Sequence, residues 1–114
     1  DENIGITATA VRVPVYRSHS ESVYVEFAEE ITPEEARELL AKAPGVIVQD
    51  DPAHNIYPMP LTASDTDEVY VGRIRRDLVN KNALNLWIAF DQVRKGAATN
   101  AVQIAEYLLA HDLV

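Results

Sequence analysis

The chain has 114 residues, with 18 acidic against 10 basic side chains, a formal net charge of −8 and no cysteine. That length holds one modest domain with one core. The acidic balance argues against broad nucleic-acid binding, which needs a basic surface. The missing cysteine excludes a disulfide, a zinc–thiolate site and a thiol nucleophile within these residues. No apolar run approaches the ~20 residues that cross a bilayer. The acidic start "DENIGI" lacks the basic n-region of a secretory signal and an initiator methionine, as a processed chain or a piece of something longer would.

Residues 4–16, "IGITATAVRVPVY", are rich in β-branched residues, and Val11, Val13 and Val15 alternate. The alternation predicts a strand with Arg12 and Pro14 on the opposite face. Proline lacks an N–H, so this strand belongs at an edge or a bulge. Residues 22–28, "SVYVEFA", alternate again, and "RSHSE" joins the two runs as a tight turn or a bulged continuation. The clearest helix is "ITPEEARELLAKAPG". Thr32 is placed as N-cap, Pro33 at the first helical position and Glu35 to complete a capping box. Ala36, Leu39, Leu40 and Ala43 form its apolar stripe, and Pro44-Gly45 ends it.

A short strand follows at 46–50, then a long loop at 51–67 with three prolines, of a length often tied to function or an interface. Strands are predicted at 68–77 and 83–90, joined by the polar "LVNKN". Asp91 is placed as the cap of a last helix from 92 to about 110, with Val93, Ala97, Ile104 and Leu108 on one stripe. The order β-β-α-β-β-β-α is an α+β class with a mixed, largely antiparallel sheet packed with helices.

Read residue by residue, the chemistry stays open. His19, His54 and His111 are far apart in sequence, which argues against a metal site. Asp50-Asp51 suits a turn or cap better than a cation site. Four scattered glycines make no phosphate loop. Arg73 and Arg75 share a strand face, solvated or salt-bridged; an anion site or subunit contact is the sharper alternative. Ser18 and Ser20 flank His19 directly and point away from it in an extended chain, so they are poor triad partners. Arg12 and His19 are each ordinary alone. Together they offer a carboxylate fork and a proton shuttle.

Taken together, "VRVPVYRSHSESVYVEF", "ITPEEARELLAKAPGVIVQDDP", "VGRIRRD" and "NLWIAFDQVRKGAATNAVQIAEYL" resemble the C-terminal portion of the aspartate-semialdehyde dehydrogenase family. The resemblance runs from about residue 4 to the C-terminus. It implies the dimerisation part of a glyceraldehyde-3-phosphate-dehydrogenase-like C-terminal domain, with a C-terminal helix that packs on a Rossmann domain. It divides the chain into a substrate and dimerisation portion, 1–90, and a helix contacting the cofactor domain, 91–114. The implied reaction reduces aspartyl phosphate to aspartate semialdehyde with NADP(H), on the route to lysine, threonine and methionine. In the family a cysteine thiolate attacks the acyl phosphate and leaves a thioester, which hydride reduces.

By resemblance Arg12 binds the substrate carboxylate and His19 is the acid–base group. Gln92 approaches the nicotinamide carboxamide, Gly96 permits close approach of the helix to cofactor or backbone, and Asn100 is a weaker candidate for the same neighbourhood. The family's cysteine, Rossmann domain, phosphate-binding lysine and the acidic residue for the substrate amine lie outside this stretch. The 114 residues are therefore expected to be inactive alone. The implied setting is a cytoplasmic homodimer with an N-terminal cofactor domain as partner, and no nucleic acid or membrane. Two alternatives remain: a non-catalytic dimerisation or interaction module from the same family, and a related N-acetylglutamyl-phosphate reductase.

Overall fold

The structure, a computed structural model, describes residues 2–114; Asp1, part of the acidic start, lies outside the described residues. Four strands form one mixed sheet: β1 (His19–Glu26), β2 (Val46–Val48), β3 (Val69–Arg76) and β4 (Ala83–Phe90). Their order is β1-β4-β3-β2. β1 and β3 run antiparallel to β4, and β2 runs parallel to β3. The helices are α1 (Pro33–Lys42), the four-residue α2 (Pro60–Ala63) and α3 (Thr99–Ala110). The α+β class and mixed sheet expected from the sequence are those observed.

α1 begins as its sequence dictates. Glu35 N–H donates to Thr32 Oγ1 at 3.1 Å and Thr32 N–H donates to Glu35 Oε2 at 2.8 Å, a reciprocal box. Such a cap is worth about 1 kcal/mol. The helix lays Ala36 and Leu40 on the sheet, against Val71, Ile74, Leu84 and the half-buried Val25, Leu86 and Ile88. Leu39, expected on the same stripe, remains 61% exposed. On the opposite sheet face Ala63 of α2 packs with Tyr70 and Ala89. There the loop crosses so close to β3 that a Cβ on Gly72 would lie 2.0 Å from the Gln49 carbonyl oxygen. Only glycine fits at that position.

β3 carries a bulge, because Arg73 and Ile74 together face Leu86 between the pairs Gly72–Trp87 and Arg75–Asn85. Arg73 adopts φ 51°, a left-handed conformation. A bulge leaves backbone groups unpaired, and here two side chains take them up. Ile74 N–H donates to Asp50 Oδ2 at 3.2 Å, and Arg37 Nη2 donates to the Ile74 carbonyl at 2.8 Å. Arg37 Nε closes the arrangement on Asp50 Oδ2 at 2.7 Å. Asp50 is thus a bulge clamp, while Asp51 caps a 3₁₀ turn at 52–54 by accepting from His54 N–H.

Three expectations need correction. Residues 4–16 form no strand; they run as an exposed irregular segment. Alternation describes two faces, but a strand also needs a ladder partner, and residues 4–16 pair with none of the four strands. The chain folds instead into a three-residue turn centred on Pro14, where Val15 N–H donates to the Val13 carbonyl at 2.9 Å, a turn suited to proline's fixed φ. "RSHSE" is not a separate linker either, since His19 opens β1. The last helix, expected from 92, begins at Thr99. Lys95, Gly96 and Ala97 are non-helical, with Gly96 at φ 95°. The chain kinks there, and the stripe of Val93, Ala97, Ile104 and Leu108 is broken.

Candidate functional site

The ladder between β1 and β4 ends on the pair His19–Phe90. That register is fixed by apolar pairs further along, Val23 with Leu86 and Val25 with Leu84. A one-residue slip would turn these side chains away from α1. The consequence at the ladder's end is that Arg17 and Ser18, entering β1, lie beside Asp91 and Gln92, leaving β4. Two of the sequence-predicted residues, His19 and Gln92, therefore share one corner of the sheet.

His19 is exposed, with its ring against the edge of Phe90 at a centroid distance of 5.9 Å and 69° between planes. Gln92 is half-buried, and its Oε1 is buried with no hydrogen-bond partner among the described residues. An orphaned amide oxygen is costly unless a donor meets it. Arg12 lies on the exposed segment leading to this corner, and no hydrogen bond or ion pair engages it among the described residues. Gly96 sits at the kink with nothing within 4 Å of a notional Cβ. Asn100 stands half-buried in the first turn of α3.

The polar groups around this corner were not legible from motifs. Asp91, read as a helix cap, is fully buried. Its Oδ1 does accept from Val93 N–H at 3.0 Å, but its Oδ2 accepts from Asp65 N–H at 2.8 Å and lies 2.7 Å from Arg17 Nε. Arg17 Nε meets that oxygen as an ion pair, its N–H poorly aligned for a hydrogen bond. Burial pushes the Asp91 carboxyl up; the two backbone N–H groups and Arg17 outweigh it, and the net direction is down. Nearby, Asp67 receives Arg94 in a two-point fork at 2.7 and 2.9 Å and the Thr99 hydroxyl at 2.7 Å. These bonds hold the Asp67 carboxyl down at about 2. They also anchor both sides of the kink, since Arg94 precedes it and Thr99 follows it.

The remaining candidates lie elsewhere. Arg73 and Arg75 are both exposed; Arg73 covers the Tyr57 ring at 5.7 Å, and Arg75 Nη1 donates to the Arg73 carbonyl at 2.8 Å. His54 pairs with Asp51 at 2.7 Å, and His111 stacks on Tyr107 at 4.0 Å. Among the described residues no three His, Asp or Glu side chains come together as a metal site would require. No helix among them is long and apolar enough to cross a membrane.

The family described as semialdehyde dehydrogenase, dimerisation domain, matches residues 1–95. Aspartate-semialdehyde dehydrogenase of Aquifex aeolicus is 58% identical over 114 residues, covering 100% of this chain and 34% of the relative. The Bacillus subtilis protein of that name is 48% identical over 113 residues, covering 98% of this chain and 33% of its own. The crystal structure of aspartate semialdehyde dehydrogenase II from Vibrio cholerae, complexed with ASA, superimposes with a TM-score of 0.79. It shares 41% identity over 87% of this chain and 29% of that one. The chain thus spans about a third of the length of these relatives. It belongs to the semialdehyde dehydrogenase dimerisation-domain family.

Proposed function

We propose that this chain is the substrate-binding and dimerisation portion of an NADP-dependent aspartate-semialdehyde dehydrogenase, a cytoplasmic homodimeric enzyme of lysine, threonine and methionine synthesis. The observation that carries the reading is the register that brings His19 and Gln92 to one sheet corner. His19 holds or releases the proton that the reacting carbonyl oxygen needs, from an exposed imidazole steadied by Phe90. Arg12 grips the carboxylate of aspartyl phosphate in a two-point fork from its exposed place on an open segment.

A bound nicotinamide cofactor supplies hydride. Gln92 would approach its carboxamide, the kink at Gly96 leaves room beside the backbone, and Asn100 lies on the same approach. The nucleophile comes from the cofactor domain, so the 114 residues supply half of the site and are inactive alone. On this reading residues 1–90 bind substrate and the partner subunit, and 91–114 contact the cofactor domain. The uncovered part of the sheet face opposite α1, with Ser22, Tyr24 and Asn85, is the dimer surface.

The test uses a complete enzyme in which this chain is joined to a cofactor domain. His19→Asn, which keeps size and polarity, lowers turnover about 100-fold or more, the usual loss for a general acid–base. Arg12→Ala raises KM for aspartyl phosphate while KM for NADPH stays. Near-parental turnover in the first variant, or equal changes of both KM values in the second, would refute these roles.

A further inference from the structure

The buried carboxylate of Asp91 joins three stretches of chain at the site corner. It holds Arg17 at 2.7 Å, two residues before His19, and Val93 N–H at 3.0 Å, one residue after Gln92. It also holds Asp65 N–H at 2.8 Å, in the loop after α2. Arg17 in turn reaches Asp65 Oδ1 at 2.7 Å through Nη1. A guanidinium shared between two carboxylates is already neutralised, so Arg17 is not a second substrate clamp. Between Arg17 and His19, Ser18 is buried at φ 76°, with its Oγ 3.0 Å from Ser64 Oγ. Such a conformation in a residue other than glycine is strained and persists only where the surroundings fix it.

The location matters more than the number of bonds. His19–Phe90 is the terminal rung of its ladder, and terminal rungs open more readily than central ones. Drift of about 1 Å at a reacting group costs roughly 100-fold in rate. The Asp91 contacts brace both strands just past that rung. A buried ionised carboxylate is also an expensive element to place there unless it is paired, and two backbone N–H donors and the Arg17 ion pair meet this one.

We propose that Asp91 is a positioning residue which, through Arg17 and the Val93 N–H, fixes the separation between the His19 imidazole and the Gln92 amide. This rests on the reading of His19 as the acid–base group. Asp91 touches neither substrate nor cofactor; it acts through the two residues it braces.

The complete enzyme is made with Asp91→Asn, Arg17→Gln and His19→Asn, singly and with Asp91→Asn combined with His19→Asn. Asp91→Asn keeps the shape but not the charge, and lowers kcat about 10-fold, part of what misplacement costs. Arg17→Gln breaks the same ion pair from its outer end, and reads the effect if Asp91→Asn fails to fold. In the His19→Asn background Asp91→Asn adds less than about 3-fold, because the group it positions is gone. Hydrogen exchange of residues 17–20 and 90–93 also speeds in Asp91→Asn and Arg17→Gln, with or without cofactor. The proposal is overturned if Arg17→Gln or a folded Asp91→Asn keeps parental kcat and exchange, or if the two losses multiply in full. Should His19→Asn itself keep parental turnover, the acid–base reading fails, and the proposal with it, whatever the Asp91 variants do.

Discussion

The body of the molecule and its two flanks solve the apolar problem differently. In the body, Val71, Ile74, Leu84 and Ala36 are buried between sheet and helix, and even at the bulge the Ile74 backbone groups are paired. In the flanks the apolar side chains face outward. Ile6 and Val11 are 84% and 77% exposed before β1, and Leu109 is 66% exposed on α3. α3 buries no residue at all among those described. Scattered exposed apolar residues are ordinary, but here they concentrate in the two segments that carry or adjoin Arg12, Gly96 and Asn100. The body buries its apolar side chains within the described chain; the flanks leave theirs exposed.

Substitutions in the 114-residue chain put numbers on that difference. Gly72→Ala sets a Cβ into backbone that no rotamer change can clear, and should cost more than about 3 kcal/mol, beyond ordinary overpacking. Leu84→Ala, at a side chain 1% exposed, should cost about 3 kcal/mol from lost transfer energy and the cavity left behind. Urea midpoints at constant slope measure both. A loss below about 1 kcal/mol in either would mean that the body is looser than its packing indicates.

A smaller effect is expected at the boundary between body and flank. Asp67 has its carboxyl lowered from 3.8 to about 2, first by Arg94 and then by the Thr99 hydroxyl. A depressed carboxylate stabilises the fold above its unfolded value and loses that contribution as pH falls through the folded one. Melting temperature should therefore decline between about pH 4 and pH 2 more steeply in the parent than in Asp67→Asn. The pair is partly exposed, so high salt should flatten the difference. Parallel curves for parent and variant would remove Asp67 as the anchor of the kink. The smallest effect belongs to the flank itself: Leu109→Ser should change stability by less than about 0.5 kcal/mol, as at an exposed site without structural partners. A large loss there would show that α3 already packs on the body.

The sequence made some of this legible and not the rest. Thr32, Pro33 and Glu35 wrote the start of α1 because a cap is a local interaction, and the alternation of β3 and β4 survives because both have ladder partners. Residues 4–16 show the same alternation and form no strand, since pairing is decided by the rest of the sheet. Gly96 was readable as a point of close approach, but not as the break that delays α3 to Thr99. The site divides the same way. Arg12, His19 and Gln92 came from a resemblance to a family, since spacing left them ordinary. The Asp91 and Asp67 networks join residues 26 to 32 positions apart, or more for Arg17, and no short motif records such a pairing.

The central claim is that these residues are one half of an active site. The direct measurement mixes the 114-residue chain with a separately made cofactor domain carrying the cysteine, and follows NADPH oxidation with aspartyl phosphate. The account expects no turnover from either part alone and turnover when they associate, abolished by His19→Asn. Confirmed association without turnover would contradict it and leave a non-catalytic interaction module; turnover only with N-acetylglutamyl phosphate would assign the chain to the other reductase.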